Sequence, residues 1–278
     1  VKIATRPNFL SPRNDFARHT LVGANTTMLD ILSSNKDALA VTATGFDTAI
    51  TQTRALLETA ADIEVLSQSL VNDELTVQLR INNRSGHKLP TSYPSRRAYI
   101  HFVVRDNVGN IVFESGKTNA DGSIVAADAD SNLSQYESHY DEITQEDQVQ
   151  IYEAIMGDSD SNITYTLLRS ATYLKDNRIP PTGFDKNAVV NDIRVAGVAM
   201  SDGNFNSGSD TITYKVTVGA ASASTISYSA ELKYQSLAYG FVKDLFQDNN
   251  DPEVAKFEAM YDSASIRSET ISAINGTL

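Results

Sequence analysis

A chain without thiols has imidazole as its strongest neutral ligand and proton carrier, and this one has four histidines and no cysteine. His87 stands in a loop beside Lys88 and close to Arg96 and Arg97. Such a histidine could ligate a metal or a haem iron, or simply hydrogen-bond the loop backbone. Arg96 and Arg97 could clamp a carboxylate or phosphate through paired donors, or form two salt bridges to the chain's many acids. His101 falls on the strand face opposite Ile100, Phe102 and Val104, a structural position. His139 lies in the cluster Tyr136–Tyr140 (YESHY), where packing of a loop is the simplest role. His19 sits in an N-terminal arm that needs no buried imidazole, which leaves a ligand role open to it.

Two stretches carry oxygen ligands at spacings that calcium could use, since that ion takes six to eight oxygens. Asp128, Asp130 and Asn132 begin like an EF-hand loop. Leu133 then stands where the glycine belongs and His139 where the bidentate glutamate belongs, so that motif is excluded. In the second stretch Asp202, Asn204, Asn206 and Asp210 alternate with other residues between two predicted strands; a polar hairpin turn would look the same. No catalytic constellation emerges: there is no G-x-S-x-G, no H-E-x-x-H and no glycine-rich loop opening a helix. The chain is therefore expected not to be an enzyme.

The elements that must position these residues follow from periodicity. Leu75, Val77, Leu79 and Ile81 alternate as a strand does, and alternation resumes at Ile100, Phe102 and Val104. The loop between them, fixed by Pro90 and Pro94, is a shaped feature on a sheet, where sites tend to be. Residues 1–25 read as an extended arm, and Phe46, Ile50, Thr53, Leu57 and Ala60 form one face of a helix. Strands are expected at 64–71 and 74–82, joined by Asn72-Asp73, then at 99–105, 111–114, 163–168, 193–199, 211–218 and 226–234. Residues 116–142 read as a polar surface excursion. Residues 145–156 fit a helix opened by a Thr144/Asp147 capping box, and fit a strand too. Helices are expected at 237–246, 253–261 and 265–274, broken at Asn249–Pro252. The sum is a mainly β protein, an antiparallel β-sandwich with N-terminal and C-terminal helical extensions (all-β to α+β). It divides into an arm with helices (1–65), a sandwich (66–236) and C-terminal helices (237–278), read as one integrated domain.

A formal charge of −12 argues against nucleic acid as a partner and against an anionic membrane surface. No apolar run reaches the length of a membrane span, so no membrane insertion is expected. Without cysteine, no disulfide, thiolate metal site or covalently attached c-type haem can form in this chain. No signal peptide opens it, and Val1 reads as the start of a processed or trimmed product. The excess of Ser, Thr, Asn and Asp over Lys suits an exported bacterial protein.

Several separated stretches carry a resemblance. Asn83–Arg97 (NRSGHKLPTSYPSRR), Val112–Gly116 (VFESG), Ser138–Tyr140 (SHY), Asp147–Glu153 (DQVQIYE), Tyr173–Arg178 (YLKDNR) and Gly183–Asp185 (GFD) resemble, in this order, the haem-free C-terminal region of a family of bacterial multihaem c-type cytochromes. Asp15–Asn25 (DFARHTLVGAN) is similar to the segment that follows the haem-bearing part in that family. The resemblance implies a periplasmic or extracellular electron-transfer protein whose haem c groups lie upstream of Val1, with that haem-bearing domain as first partner and a redox protein as a second. It implies that His19, or else His87, supplies a distal iron ligand. It also implies that Arg96 and Arg97 face haem propionates. The absence of any Cys-x-x-Cys-His motif departs from the family, and no haem is expected to be covalently bound here. A stand-alone calcium-stabilised extracellular binding module is the alternative.

Overall fold

Strict alternation along three strands builds the centre of the molecule. In β2 (Glu74–Asn83), β10 (Ser209–Thr217) and β11 (Ser227–Gln235) every second side chain is buried, as in antiparallel strands with one face on a core. The computed structural model describes residues 20–91, 93–219 and 225–278, with the isolated positions Phe9 and Ser11. One sheet has the order β1-β2-β10-β5, with β1 at Ala61–Val71 and a short parallel β5 at Glu142–Ile143. The second runs β12-β11-β3-β4, with β3 at Arg97–Arg105, β4 at Ile111–Ser115 and β12 at Glu269–Thr277. Short β6 (Ile151–Tyr152) adds to β3 beside Ala98 and Tyr99. The inner faces meet in a core of Leu75, Val77, Leu79 and Ile81 against Ile100, Phe102, Val104 and Leu232. Phe102 and Tyr214 stack across it with ring centroids 3.9 Å apart. A third sheet, β8-β7-β9, combines Ile163–Thr164, Ala154–Gly157 and Thr172–Asp176. The protein is thus mainly β, with the expected sandwich-like architecture and a few short helices.

Local chemistry explains the turns and ends. Asn72 and Asp73 both have positive φ, 51° and 62°, the geometry of a two-residue hairpin turn that Asn and Asp tolerate. Helix α1 (Thr26–Ser34) is capped by Asn25, whose side chain accepts from the Met28 N–H at 3.1 Å. Helix α2 (Phe46–Leu57) buries Phe46, Ile50, Thr53 and Leu57, the stripe its spacing predicts. The four-residue helix α3 (Asp128–Ser131) lies in the excursion. In that excursion Ile124 and Ala127 join Val149, Ile151 and Tyr99 in a second cluster, so β3 is covered on both faces. Helices α4 (Tyr239–Leu245) and α5 (Pro252–Ser263) pack with α1 through Ile31, Val242, Met260 and Tyr261. The break between them is set by Asp251 as N-cap and Pro252 at the first helical position.

Two expectations are corrected. Residues 265–274, expected as helix, lie largely in β12, which pairs with β11 from Ser227↔Thr277 to Tyr234↔Glu269. The β-branched run Thr270-Ile271 and Ile274 fits a free sheet edge, and pairing there overrides a weak helical spacing. The sandwich therefore draws on the segment read as a helical tail. Residues 193–199, expected as a strand, form two 3-10 turns, Asn191–Ile193 and Gly197–Met200. Gly197 turns the chain with φ 76°, where a Cβ would lie 3.0 Å from the Leu174 carbonyl oxygen. Of the two readings of 145–156, helix or strand, the structure takes the strand, with β6 and β7. Its Thr144 and Gln145 N–H groups donate to the Gln148 side chain, not to Asp147. Among the described residues no helix is long and apolar enough to cross a membrane.

Candidate functional site

Between β2 and β3 the loop 84–96 is tied down at both ends. The Asn83 amide donates to the His87 carbonyl at 2.7 Å and to the Ile179 carbonyl at 2.9 Å, while its oxygen accepts from Ser85. Leu89 and Ile179 exchange backbone hydrogen bonds, and the Leu89–Pro90 peptide is cis. Lys88 reaches the buried Asp176 at 2.7 Å, a carboxylate that Arg178 also binds. Burial pushes the Lys88 ammonium down, opposed by Asp176.

His87 and Arg96 leave this clamped loop on one side and line a single recess of about 430 Å³. Leu56, Leu57, Ala60, Leu89 and Pro90 form its apolar wall; the Tyr234 phenol and Arg84 complete the polar part. Val22–Ala24 forms its rim, and the Gly23 carbonyl accepts from the Arg96 guanidinium at 3.1 Å. Burial pushes the Tyr234 hydroxyl up to about 12, with Arg96 acting against it. The His87 ring is exposed, and its Nδ1 lies 3.0 Å from the Lys88 carbonyl oxygen. A carbonyl only accepts, so Nδ1 carries the hydrogen, and in the neutral ring Nε2 is the nitrogen with the lone pair. That is the tautomer a metal or haem iron requires of a histidine binding through Nε2.

Arg97 does something else. It is fully buried and holds Asp130 through two hydrogen bonds of 2.7 Å, while its Nε donates to Gln235. Burial would lower the guanidinium, but Asp130 outweighs it and the group is pushed up. Asp130 also accepts from the Ile124 N–H, so the pair fastens the excursion onto β3. Arg97 thus takes the salt-bridge alternative and does not reach the recess.

The second polar centre is buried between β10 and the strand-poor segments 137–150 and 176–210. His139 Nε2 lies 3.0 Å from Asp202 Oδ2 and 4.0 Å from Asp210 Oδ1. Its Nδ1 faces the Gln150 amide nitrogen at 2.9 Å and the Asn177 amide nitrogen at 3.1 Å. Neither amide can be turned round. The Gln150 oxygen accepts from the Tyr140 N–H, and the Asn177 oxygen accepts from the Glu153 N–H. Two N–H donors on Nδ1 fix the lone pair there and the proton on Nε2. Asp210 accepts from the Tyr152 hydroxyl at 2.8 Å, while its Oδ1 has no partner. Burial raises its carboxyl to about 6, and Asp202 adds to the rise. Asp202 is held low, at about 2, because hydrogen bonds from His139 and the Asn204 N–H outweigh its burial. Asp141, nearer the surface, is pushed up by burial and by Asp202.

Donor atoms of His139, Asp202 and Asp210 all lie within 4.8 Å, close enough to suggest a metal centre. The donor set does not fit one. A neutral imidazole bound through Nε2 would place its proton on Nδ1, against two amide N–H groups, and the point between Asp202 and Asp210 already holds the Nε2 proton. The amide oxygens expected to help are engaged as well: Asn204 accepts from Thr211 N–H and Asn206 from Lys186 N–H. In the other predicted calcium loop Asp130 binds Arg97 and Asn132 accepts from Ser134 N–H. His101 bridges Glu114 and Glu231 on a sheet surface, a structural place. His19 lies outside the described residues. Gln150, Asn177 and Tyr152, which define the His139 centre, carry no signal in spacing. They do fall in the DQVQIYE and YLKDNR stretches, which the fold brings together with His139 of SHY.

No protein-family model and no curated protein sequence matches the chain. Among solved structures, the fold is similar to that of a penta-haem cytochrome c552 from Thermochromatium tepidum, with a TM-score of 0.47 and 12% sequence identity. The similarity covers 81% of this chain, which spans 41% of the length of that one.

Proposed function

We propose that this chain is a non-catalytic accessory domain of an exported multihaem c-type cytochrome, packing against a haem-bearing domain that precedes it. The observation that carries this reading is the recess. It joins an apolar wall, an imidazole whose neutral form has its lone pair on Nε2, and a guanidinium, beside the Val22–Ala24 segment. An amphiphilic macrocycle with two carboxylates has complementary chemistry: its edge suits Leu56, Leu57 and Pro90, and a propionate suits Arg96. His19, on the arm three residues before Val22, is the first choice as a distal iron ligand and His87 the second.

The test uses a haem peptide with one vacant axial position. Mixed with the chain, its spectrum is expected to convert to the low-spin form. His19→Ala and His87→Ala, made singly, identify the ligand by loss of that conversion. An unchanged spectrum with the wild-type chain contradicts the reading. In the full-length protein, Cys-x-x-Cys-His repeats upstream of Val1 are expected; a reading frame without them contradicts it as well.

A further inference from the structure

The recess beside His87 is free of acids in an acid-rich chain. The protein carries 35 Asp and Glu against 23 Lys and Arg, yet no residue lining this cavity is acidic, while Arg84, His87 and Arg96 are basic. Arg84 is already matched, since its guanidinium binds Asp62. Arg96 meets no carboxylate among the described residues and donates to the Gly23 carbonyl at 3.1 Å. Tyr234 stands with it. That residue is 3% exposed, and its hydroxyl is buried without a hydrogen-bond partner. Arg96 favours the ionised phenol, which puts the hydroxyl at the arginine end of the recess, and burial keeps it protonated at neutral pH. A guanidinium has only donors, so it cannot accept from that O–H. Buried donors without an acceptor are costly, and native structures keep few of them.

We infer that the recess is a binding site for an amphiphilic monocarboxylate, its head held by the Arg96 guanidinium and the Tyr234 hydroxyl and its body lying on Leu56, Leu57 and Pro90. Charge selects the head. One unmatched guanidinium and one neutral O–H suit a single negative charge, whereas a phosphate dianion brings more charge and more oxygens than they satisfy. The wall selects the body, because a small hydrophilic anion would leave that apolar surface uncovered. A volume of about 430 Å³ suits a small organic ligand. The inference deepens the haem reading and rests on the same recess, with a haem propionate as one source of the head group and a free acid as the other.

Isothermal titration calorimetry with phenylbutyrate and its amide tests it. The acid is expected to bind the wild-type chain with a Kd on the order of 1 mM or below, and the amide at least roughly tenfold more weakly. Tyr234→Phe and Arg96→Gln are each expected to weaken binding of the acid by roughly tenfold. Without ligand, the Tyr234→Phe chain should melt no lower than the wild type, because the change removes an unsatisfied donor. A lower midpoint would give the hydroxyl a partner inside the fold and overturn the inference. Competition separates the two sources. Displacement of phenylbutyrate by a haem peptide with free propionates, but not by its methyl ester, assigns the head group to haem; an acid displaced by neither assigns it to a separate ligand. No binding of the acid, equal binding of acid and amide, or an acid indifferent to Tyr234→Phe overturns the inference. The titration with phenylbutyrate involves no iron, so it and the low-spin conversion can fail separately.

Discussion

His87 and His139 are the same residue put to opposite uses, and the difference lies in what faces Nδ1. At His87 a backbone carbonyl takes the Nδ1 hydrogen, so in the neutral ring the lone pair is on Nε2, beside an apolar recess. At His139 two immovable amide N–H groups take the Nδ1 lone pair, and the hydrogen goes to Nε2, where Asp202 accepts it. The first arrangement is ready for a ligand and contributes little to the fold. The second cannot bind a metal and cross-links segments 139, 150, 177 and 202. A neighbouring carboxylate does not by itself make a histidine a metal ligand; the hydrogen-bond partner on the far nitrogen decides.

The comparison breaks most visibly in stability. His139→Ala leaves the Gln150 and Asn177 donors and the Asp202 carboxylate without their partner, and is expected to cost about 3–4 kcal/mol. His87→Ala, at an exposed site, should stay within about 0.5 kcal/mol. Denaturant unfolding of both variants checks this, and equal losses would remove the distinction.

The buried centre also predicts a pH dependence. Asp210 titrates near 6 in the folded protein but in the ordinary carboxylate range when unfolded, so the folded state binds that proton more tightly. Stability from this group therefore rises as pH falls from 7 through 6 towards 4, by up to roughly 3 kcal/mol. Asp202 acts in the other sense: its contribution is present above the ordinary carboxylate range and is lost as pH falls towards 2. Together they place a maximum near pH 4–5. In Asp210→Asn the rise between pH 7 and 5 should vanish while the loss below pH 4 remains, as thermal melts across pH would show.

The smallest expected effect is with calcium. Since the amides of Asn204 and Asn206 and the carboxylate of Asp130 are already engaged, added calcium or a chelator should leave the melting midpoint unchanged. A clear rise with calcium would reopen both loops as sites.

Much of the sandwich was legible because burial on one face writes a period of two into β2, β10 and β11. The stripe Phe46, Ile50, Thr53, Leu57 was legible for the corresponding reason in a helix. The edge strand β12 was not, since its pattern is satisfied by β11, distant in sequence. Nor were the turns at 191–200, which depend on Gly197 meeting the Leu174 carbonyl. At the sites, the clamped loop announced His87 and Arg96 through its prolines and charges. Adjacent Arg97 reads identically in sequence, yet strand alternation sends it to the opposite face and into Asp130. The His139 centre was hidden because Gln150 and Asn177 act through orientation, and orientation is fixed by the Tyr140 and Glu153 N–H groups, which have no sequence signature.

Long-range nitrogen–proton correlation NMR of the histidine rings tests the central claim most directly, since the two tautomers give distinct nitrogen shifts. The account predicts the proton on Nδ1 in His87 and on Nε2 in His139. The reverse assignment at either ring would contradict it: at His87 by removing the open lone pair, and at His139 by restoring a metal site.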